Sequence, residues 1–415
     1  MIQTIRGTKD ILPGEISEWH FLEEVFKRIT SQFGYKEIRT PVLEFTEVFS
    51  RGIGEGTDIV GKEMYSFNTK DEKKPESVTM RPEMTASVVR SVTQHSLLHH
   101  QPTLRLWYCA PFFRYENPQK GRQRQFHQFG AECIGSPNPE SDAEVVILAA
   151  TVLKEIGITD YTLAINSLGN KTSREKYRTE LISFLKGKFD ELSEDSQNRL
   201  EKNPLRVLDS KDAKDKAATK DAPSILDFLD EESETYFKNV QEILKESDVE
   251  FTVNPRLVRG LDYYNHTVFE FLTTKLGSQD ALGGGGRYDP LFAQLGGKET
   301  PAVGFALGIE RLLLLREQNN VQAEALKPDI FIIGDGSAKK IQKLALQIRQ
   351  KNLYVLTDLL RKSFKAQMKE SNKLGTRYTI IFGQQEEEKG IAIIKNMETG
   401  VQTEYPLKEI ADFQF

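Results

Sequence analysis

Near the start of the chain Trp19, Leu22, Phe26, Ile29 and Phe33 recur at spacings of three and four, which puts them on one stripe of a helix. Gly34 is placed to end it. The following YKEIRTPVLEF predicts a strand interrupted by Pro41, and a proline there favours a sheet edge or a boundary. From Leu104 to Ile134 the pattern shifts to two strands, LRLWYCAPFFRYE and QFHQFGAECI, joined by NPQKGRQRQ. Alternation puts Phe112, Arg114 and Glu116 on one face of the first, and Phe126, Gln128, Gly130 and Glu132 on one face of the second. A core-facing strand would show aliphatics there. Polar groups facing a sheet interior are costly unless partnered, so the economical reading is a ligand floor.

Residues from about 172 to 250 change character, with runs such as DSKDAKDKAATKDAP that predict a helical, surface-rich insertion. Sheet patterns return with RLVRGLDYYNHTVFEFL, ALGGGGRYDPLF and AVGFALGIERLLLL, the last ending as a helix. REQNNVQAEALKPD reads as a polar linker. Beyond it DIFIIG, NLYVLTD, RYTIIFG and GIAIIKN predict strands, with helices at KKIQKLALQIRQ and RKSFKAQMKESNKLG between them, which makes a small α/β domain.

A length of 415 residues suggests two or three domains, and 38% hydrophobic with 28% charged residues describes a soluble globular chain. No apolar run approaches the roughly 20 residues of a membrane span. MIQTIRGTKDILPGE carries charges where a signal peptide would be apolar, and two cysteines, Cys109 and Cys133, fit a reducing compartment, so a cytoplasmic location is expected. Both read as buried small hydrophobes. The net charge of −5 argues weakly against a nucleic-acid partner. It hides a basic window: Lys339 to Arg377 holds eight lysines and three arginines against Asp358 and Glu370, a net charge of +9.

Four arginines stand in marked settings: Arg114 on the polar face, Arg122 in the basic hairpin loop, Arg259 before Gly260, and Arg311 in the first turn of the helix after GFALG. Guanidinium groups bind carboxylate and phosphate bidentately at any working pH. With neither a Walker lysine motif nor GxGxxG, the four suggest a nucleoside triphosphate held by arginines on an antiparallel sheet. His95 and His99 are four apart with His100 adjacent, but no third ligand is close, so no metal site is expected there. His127 alternates away from the ligand face.

FRYENPQKGRQRQFHQFGAE resembles motif 2 of class II aminoacyl-tRNA synthetases, GFALGIER resembles motif 3, and the first helix with RTPVLEF resembles motif 1. RLVRGLDYYNHTVFE, TMRPEMTA and GGGGRYD are similar to the histidyl-tRNA synthetase family in particular, over essentially the whole chain. The resemblance implies an α+β fold: a class II antiparallel sheet flanked by helices, with a helical insertion and a C-terminal α/β anticodon-binding domain. It implies a catalytic domain at 1–171 and 251–325, the insertion at 172–250, and the anticodon-binding domain at 327–415.

The implied activity is ATP-dependent activation of L-histidine to histidyl-adenylate and pyrophosphate, then transfer to the 3′ end of histidine tRNA, by a homodimer, with Mg2+ accompanying ATP. By the same resemblance Glu83, Thr85 and Gln128 meet the amino acid's ammonium end, and Glu132, Tyr264 and Tyr288 its side chain, with Tyr263 and Arg259 also on the histidine. Arg114 would grip the α-phosphate with Arg259 opposite, the two as catalytic cations, and Arg122 and Arg311 the distal phosphates. Glu116 and Phe126 would take the adenine, while Lys120, Arg122 and Arg124 would approach the tRNA acceptor end. If both tyrosines of RGLDYY line the pocket, a turn is needed there. The glycines of ALGGGGRYDP lack the setting of a phosphate loop and read as a strand clearing room for the amino acid. The rivals are a catalytically inactive paralog, the regulatory subunit of ATP phosphoribosyltransferase, and a sister synthetase for threonine, proline or glycine. The retained arginines, RGLDYY and Glu132 speak against both.

Overall fold

The stripe at the start of the chain forms α1 (Ile16–Gln32), which buries Trp19, Leu22, Phe26 and Ile29. Gly34 follows with a φ of 77°, the left-handed value that ends helices. The single interrupted strand expected next is instead two, β1 (Lys36–Glu37) and β2 (Leu43–Phe45), in different sheets. Pro41 has no N–H to give a ladder. The buried guanidinium of Arg81 donates at this corner to the carbonyls of Thr40 at 2.7 Å, Pro111 at 3.0 Å and Pro41 at 3.3 Å.

After α2 (Thr46–Ile53), β3 (Tyr65–Asn68) and β4 (Ser77–Met80) join β2 in a three-stranded antiparallel sheet with β4 at its centre. Next come α3 (Thr85–Gln94) and the hairpin β5 (Leu104–Phe113) and β6 (Gln125–Ile134), which opposes Tyr108 to Gly130 and Phe112 to Phe126. Since β5 ends at Phe113, Arg114 and Glu116 leave the chain just beyond the ladder. Then follow α4 (Pro139–Glu155), β7 (Thr162–Ser167) and the helices α5 (Lys171–Lys186), α6 (Glu194–Arg199), α7 (Leu205–Leu208), α8 (Ala213–Ala218) and α9 (Glu231–Glu246). The sheet resumes with β8 (Thr252–Val253), β9 (Asn265–Leu272), β10 (Ala281–Arg287), α10 (Leu291–Gln294), β11 (Ala302–Gly308) and α11 (Ile309–Gln318).

The computed structural model describes residues 1–54, 57, 59–71, 73–201, 203–277, 281–323, 326–410 and 413–415; residues 324 and 325 of the expected linker lie outside them. Met1–Ala323 is one compact unit, built on an eight-stranded sheet of order β1-β5-β6-β11-β10-β9-β7-β8. Its pairs are antiparallel except β1 with β5 and β7 with β8. Alternate residues of the strands feed two cores. On one side α1, α4, α9 and α11 cover Phe129, Phe305 and Phe269, with Phe26 stacked on Phe129 at 4.1 Å. On the other, Tyr108, Val268 and Tyr288 pack with Tyr177 and Leu181 of α5 and Val88 of α3. Each such side chain contributes about 1.5–3 kcal/mol on burial.

Glu324–Phe415 is the second unit. It contains β12 (Ile330–Ile333), α12 (Ala338–Arg349), β13 (Val355–Thr357), α13 (Phe364–Leu374), β14 (Tyr378–Ile381), α14 (Gln384–Lys389), β15 (Ile391–Asn396) and β16 (Gln402–Pro406). The strand order is β13-β12-β14-β15-β16, the first three parallel and the rest antiparallel. Four of these strands match the expected ones, and β16 has no counterpart in the sequence reading. Its polar, mostly exposed positions conceal a ladder partner.

Candidate active site

The first unit holds a cavity of about 810 Å³ over β6, β11, β10 and β9. Glu83, Thr85, Arg114, Glu116, Arg122, Phe126, Gln128, Arg259, Tyr263, Tyr264, Tyr288 and Arg311 all line it. Glu132 does not; it lies beneath the lining with 1% of its surface exposed. Lys120 is exposed in the hairpin loop and Arg124 packs away from the cavity, its guanidinium 4.0 Å from the Tyr115 ring and its Nε donating to the Glu116 carbonyl at 3.2 Å. Of the basic hairpin residues only Arg122 turns inward.

At the inner end, hydroxyl groups ring a carboxylate. Thr85 donates to Oε1 of Glu132 at 2.9 Å and Tyr108 to the same oxygen at 3.2 Å, while Tyr288 donates to Oε2 at 2.7 Å. Burial pushes the Glu132 carboxyl up to about 8 against the pull of these donors. Thr85 is thus committed to Glu132. The sequence reading put it beside the ammonium, and the period-two pattern that placed Phe112 on this face also reaches Tyr108, which was passed over. Glu83 precedes α3 and accepts from the amides of Thr85 at 2.7 Å and Ala86 at 2.9 Å, using its carboxylate to cap free N–H groups at the helix start. Burial raises its pKa despite those bonds.

Glycines make this packing possible. A Cβ on Gly304 would lie 2.6 Å from the carboxyl carbon of Glu132, and one on Gly286 would lie 3.0 Å from the Tyr264 ring. On Gly284 it would come within 3.1 Å of Arg259 Nη1. The run ALGGGGR is strand β10, paired on both sides, and not a phosphate-binding turn. A Cβ in the run would meet neighbouring backbone and the cavity's own side chains, and Gly283 and Gly284 themselves line the cavity.

At the outer end cations converge. Arg114 donates from Nε to the Pro82 carbonyl at 2.9 Å and lies over Phe126, 5.1 Å from the ring centre. Arg122 pairs with Glu116 at 2.6 Å. This pairing occupies the carboxylate the sequence reading assigned to adenine. Arg311, in the first turn of α11, donates to the carbonyls of Gly121 at 3.1 Å and Ala281 at 2.5 Å, and burial beside Arg122 lowers its pKa. Arg259 comes from the irregular segment before β9 and is held by Glu270 of β9 through Nη1 at 2.5 Å. Its Nε is buried and has no hydrogen-bond partner among the described residues. Burial works against its charge and Glu270 restores it, leaving the pKa raised. A turn at Gly260–Tyr263 brings both tyrosines to the wall, their rings 4.7 Å apart.

Sequence reasoning missed several members. Glu270 had a signal, a lone carboxylate in the apolar run HTVFEFL. Arg206, Asp209, Lys211 and Lys216, from α7 to α8, also line the cavity, and their charged surroundings in sequence carried no directional cue. His127 packs behind the floor as expected, edge-on to Trp19 at 4.9 Å, and its backbone N–H and Nδ1 both meet the Glu310 carboxylate at 2.9 Å. Cys109 and Cys133 are reduced, with thiols pushed by burial up to about 12 and about 11. Below Tyr288 its chain neighbours form a buried ion network. Arg287 donates to Asp142 of α4 at 2.5 Å, Ser141 Oγ at 2.9 Å and Asp289 at 3.0 Å, with Arg287 and Asp142 both under 2% exposed.

An antiparallel sheet between helices, with arginines gathered at one end of its cavity and a hydroxyl-ringed carboxylate at the other, is the architecture of a class II aminoacyl-tRNA synthetase. The family model for histidyl-tRNA synthetase matches residues 7–312, and that for an anticodon-binding domain matches residues 329–413. The chain is 49% identical over 407 residues to a histidine–tRNA ligase of Chloroherpeton thalassium, covering 97% of this chain and 95% of that one. It is 48% identical over 419 residues to one of Marinomonas sp., covering 99% and 98%. The crystal structure of apo Staphylococcus aureus histidyl-tRNA synthetase superposes with a TM-score of 0.83 at 36% identity, over 99% of both chains. The chain belongs to the histidyl-tRNA synthetase family.

Proposed function

We propose that the cavity joins L-histidine to ATP and passes the histidyl group to the 3′ end of histidine tRNA. The observation that carries this is the placement of Glu132 under three hydroxyl donors at one end of a cavity whose other end gathers Arg114, Arg122, Arg259 and Arg311. A carboxylate and a phenol together satisfy the donor and acceptor of an imidazole, and an apolar isostere would leave them unpaired. Glu132 with Tyr288 and Tyr264 takes the imidazole. Glu83 keeps lone pairs beyond its two amide bonds, and with Gln128 it takes the ammonium group. Tyr263 packs beside them, and Thr85 serves by orienting Glu132.

In the first step a histidine carboxylate oxygen attacks the α-phosphorus of ATP in line and pyrophosphate leaves. Arg114 and Arg259 flank the α-phosphate and stabilise the charge that develops there, while Arg122 and Arg311 hold the distal phosphates. Phe126 supports the adenine, with Glu116 acting mainly through Arg122. In the second step the terminal ribose hydroxyl of the tRNA attacks the acyl carbon and AMP leaves. Mg2+ would accompany ATP as part of that substrate and would supply charge neutralisation on its phosphates; Glu116 and Glu270, two of the carboxylates lining the cavity, are each engaged by an arginine. Lys120 is the exposed hairpin cation nearest in sequence to the cavity loop and is assigned to the acceptor end; Arg124 supports that loop.

The full-length relatives named histidine–tRNA ligase do not favour the inactive-paralog reading. We assign residues 172–250 as the insertion and 327–415 as the anticodon-binding domain, and propose a homodimer through the motif 1 region in the cytoplasm. No helix among the described residues is long and apolar enough to cross a membrane. Pyrophosphate exchange measured with each amino acid in turn tests the assignment: histidine alone should stimulate it, and stimulation by another amino acid, or by none, overturns it. Arg259→His should retain part of histidine binding while adenylate formation slows sharply; a normal pre-steady-state rate would remove Arg259 from the mechanism.

A further inference from the structure

The turn that carries Arg259 and both tyrosines belongs to no strand. From Val258 to Tyr264 it makes one backbone–backbone hydrogen bond among the described residues, from the Asp262 N–H to the Ile53 carbonyl at the end of α2, at 3.3 Å. Backbone so lightly tied leaves its side chains free to shift, and a misplacement of about 1 Å at a reacting centre can cost roughly 100-fold in rate.

The rest of the hold comes from helices earlier in the chain. Every residue from Leu257 to Tyr264 lines the cavity except Asp262. Its carboxylate turns the other way and accepts from Asn203 Nδ2, 59 residues back, at 2.7 Å. Arg206 of α7 reaches the same turn: a Cβ on Gly260 would lie 3.2 Å from its Nη1. Arg174 of α5 donates from Nη1 to the Tyr264 carbonyl at 2.7 Å. Positions 260, 262 and 264 are thus each met from the helices, which leaves the side chains of Arg259, Tyr263 and Tyr264 to the cavity. Burial raises the Asp262 pKa, while the Asn203 hydrogen bond and the charges of Arg206 and Arg174 oppose that shift.

The helices make a firm base. Leu200 and Val207 share a buried cluster with Leu257 and Val258 at the root of the turn. Buried Asp215 of α8 accepts from the Ser193 N–H and from the hydroxyls of Ser193 and Ser196 at 2.7 Å, and from that of Ser210 at 2.5 Å. That hub ties α6 and α8 to the chain leaving α7. We propose that Asn203 and Arg174 are positioning residues for adenylate formation, acting through the Asp262 carboxylate and the Tyr264 carbonyl to hold Arg259 and Tyr264 toward substrate. The helical segment from α5 to α8 is then part of the machinery of the first step, before any tRNA is bound. The proposal rests on the reading of the cavity as the histidine and ATP site and deepens it.

The test is pyrophosphate exchange by the full chain carrying Asn203→Ala, Asp262→Ala, or both. Removing one such bond predicts a fall of roughly 5- to 30-fold in kcat/KM for histidine. The fall should be shared between a lower kcat, through Arg259, and a higher KM for histidine, through Tyr264. The KM for ATP should move less than about threefold, because Arg114, Arg122 and Arg311 stand outside the turn. Asn203 and Asp262 act as one unit, so the double variant should be no more than about twofold worse than the poorer single variant. Arg174→Ala should show the same split between the two substrates. Thermal unfolding must show each protein folded at the assay temperature. Asn203→Ala, which leaves Asp262 facing Arg206 and Arg174, carries the test by itself if Asp262→Ala unfolds. A folded Asn203→Ala with wild-type kinetics, an equal rise in KM for both substrates, or losses that multiply in the double variant overturns the proposal. Wild-type protein without histidine-dependent exchange would instead overturn the reading of the cavity, so the two failures are distinguishable.

Discussion

Gly304→Ala is the most direct probe of the end of the cavity proposed to take the amino acid. Gly304 of β11 stands opposite Glu132 of β6 in the ladder, and the added methyl would lie 2.6 Å from the Glu132 carboxyl carbon and 2.7 Å from the Ala131 carbonyl oxygen. Backbone in the middle of an eight-stranded sheet yields little, so the carboxylate must move. Its Oε2 accepts from Tyr288 at 2.7 Å and its Oε1 from Thr85 at 2.9 Å. Leaving one buried partner of this carboxyl without its hydrogen bond costs about 1–3 kcal/mol, equivalent to roughly 5- to 150-fold in equilibrium terms. The loss should appear in the KM for histidine in pyrophosphate exchange, with the KM for ATP changing by less than about threefold, because the hydrogen-bond partners of Glu132 are Thr85, Tyr108 and Tyr288 and none of the arginines proposed to hold phosphate. Overpacking itself costs about 1–3 kcal/mol of stability, so thermal unfolding must show the variant folded at the assay temperature. A folded variant with unaltered KM for histidine would refute Glu132 as the gauge of the amino acid.

Glu270→Gln keeps the shape of the Arg259 seat while removing its charge; the turnover number for exchange should fall at least about tenfold with little change in the KM for histidine, and equal losses in both would point to general disruption. Asp142→Ala leaves the Arg287 guanidinium buried without its main partner, which should cost about 3–5 kcal/mol in urea unfolding; a change below about 1 kcal/mol would show the network is not structural. The raised carboxyl of Glu132 makes the folded state hold a proton the unfolded chain releases. That contribution is full below the ordinary carboxyl range and is lost as pH rises to about 8. The unfolding temperature of ligand-free protein should therefore fall relative to Glu132→Gln as pH climbs from about 5 to 8, and parallel profiles would contradict the assignment.

The features legible in the sequence were those with a period. The α1 stripe from Trp19 to Ile29 and the face that carries Phe126 and Gln128, with Glu132 beneath it, follow from spacing alone, because one side of each element must face a core or a cavity. Features that depend on non-local partners were hidden. Tyr35–Phe45 splits because Arg81, some 40 residues later, collects the carbonyls at its corner. Arg206 and Lys211 reach the cavity only through the fold of α7 and α8, and Thr85 turns to Glu132, 47 residues away. The glycine run of β10 was legible as a strand. That its space serves Arg259 and Tyr264 could not be read without knowing which strands flank it.

The position of Tyr288 between Arg287 and Asp289 has a genetic consequence. Both neighbours are anchored in the ion network at the start of α4, so the hydroxyl that meets Glu132 inherits its position from Ser141 and Asp142, residues that line no part of the cavity. A substitution there would present in a screen as poor discrimination or weak use of histidine. A phenotype of that kind in α4 marks the suspension of the tyrosine, and its suppressors should arise among the ion network's own members before they arise in the cavity.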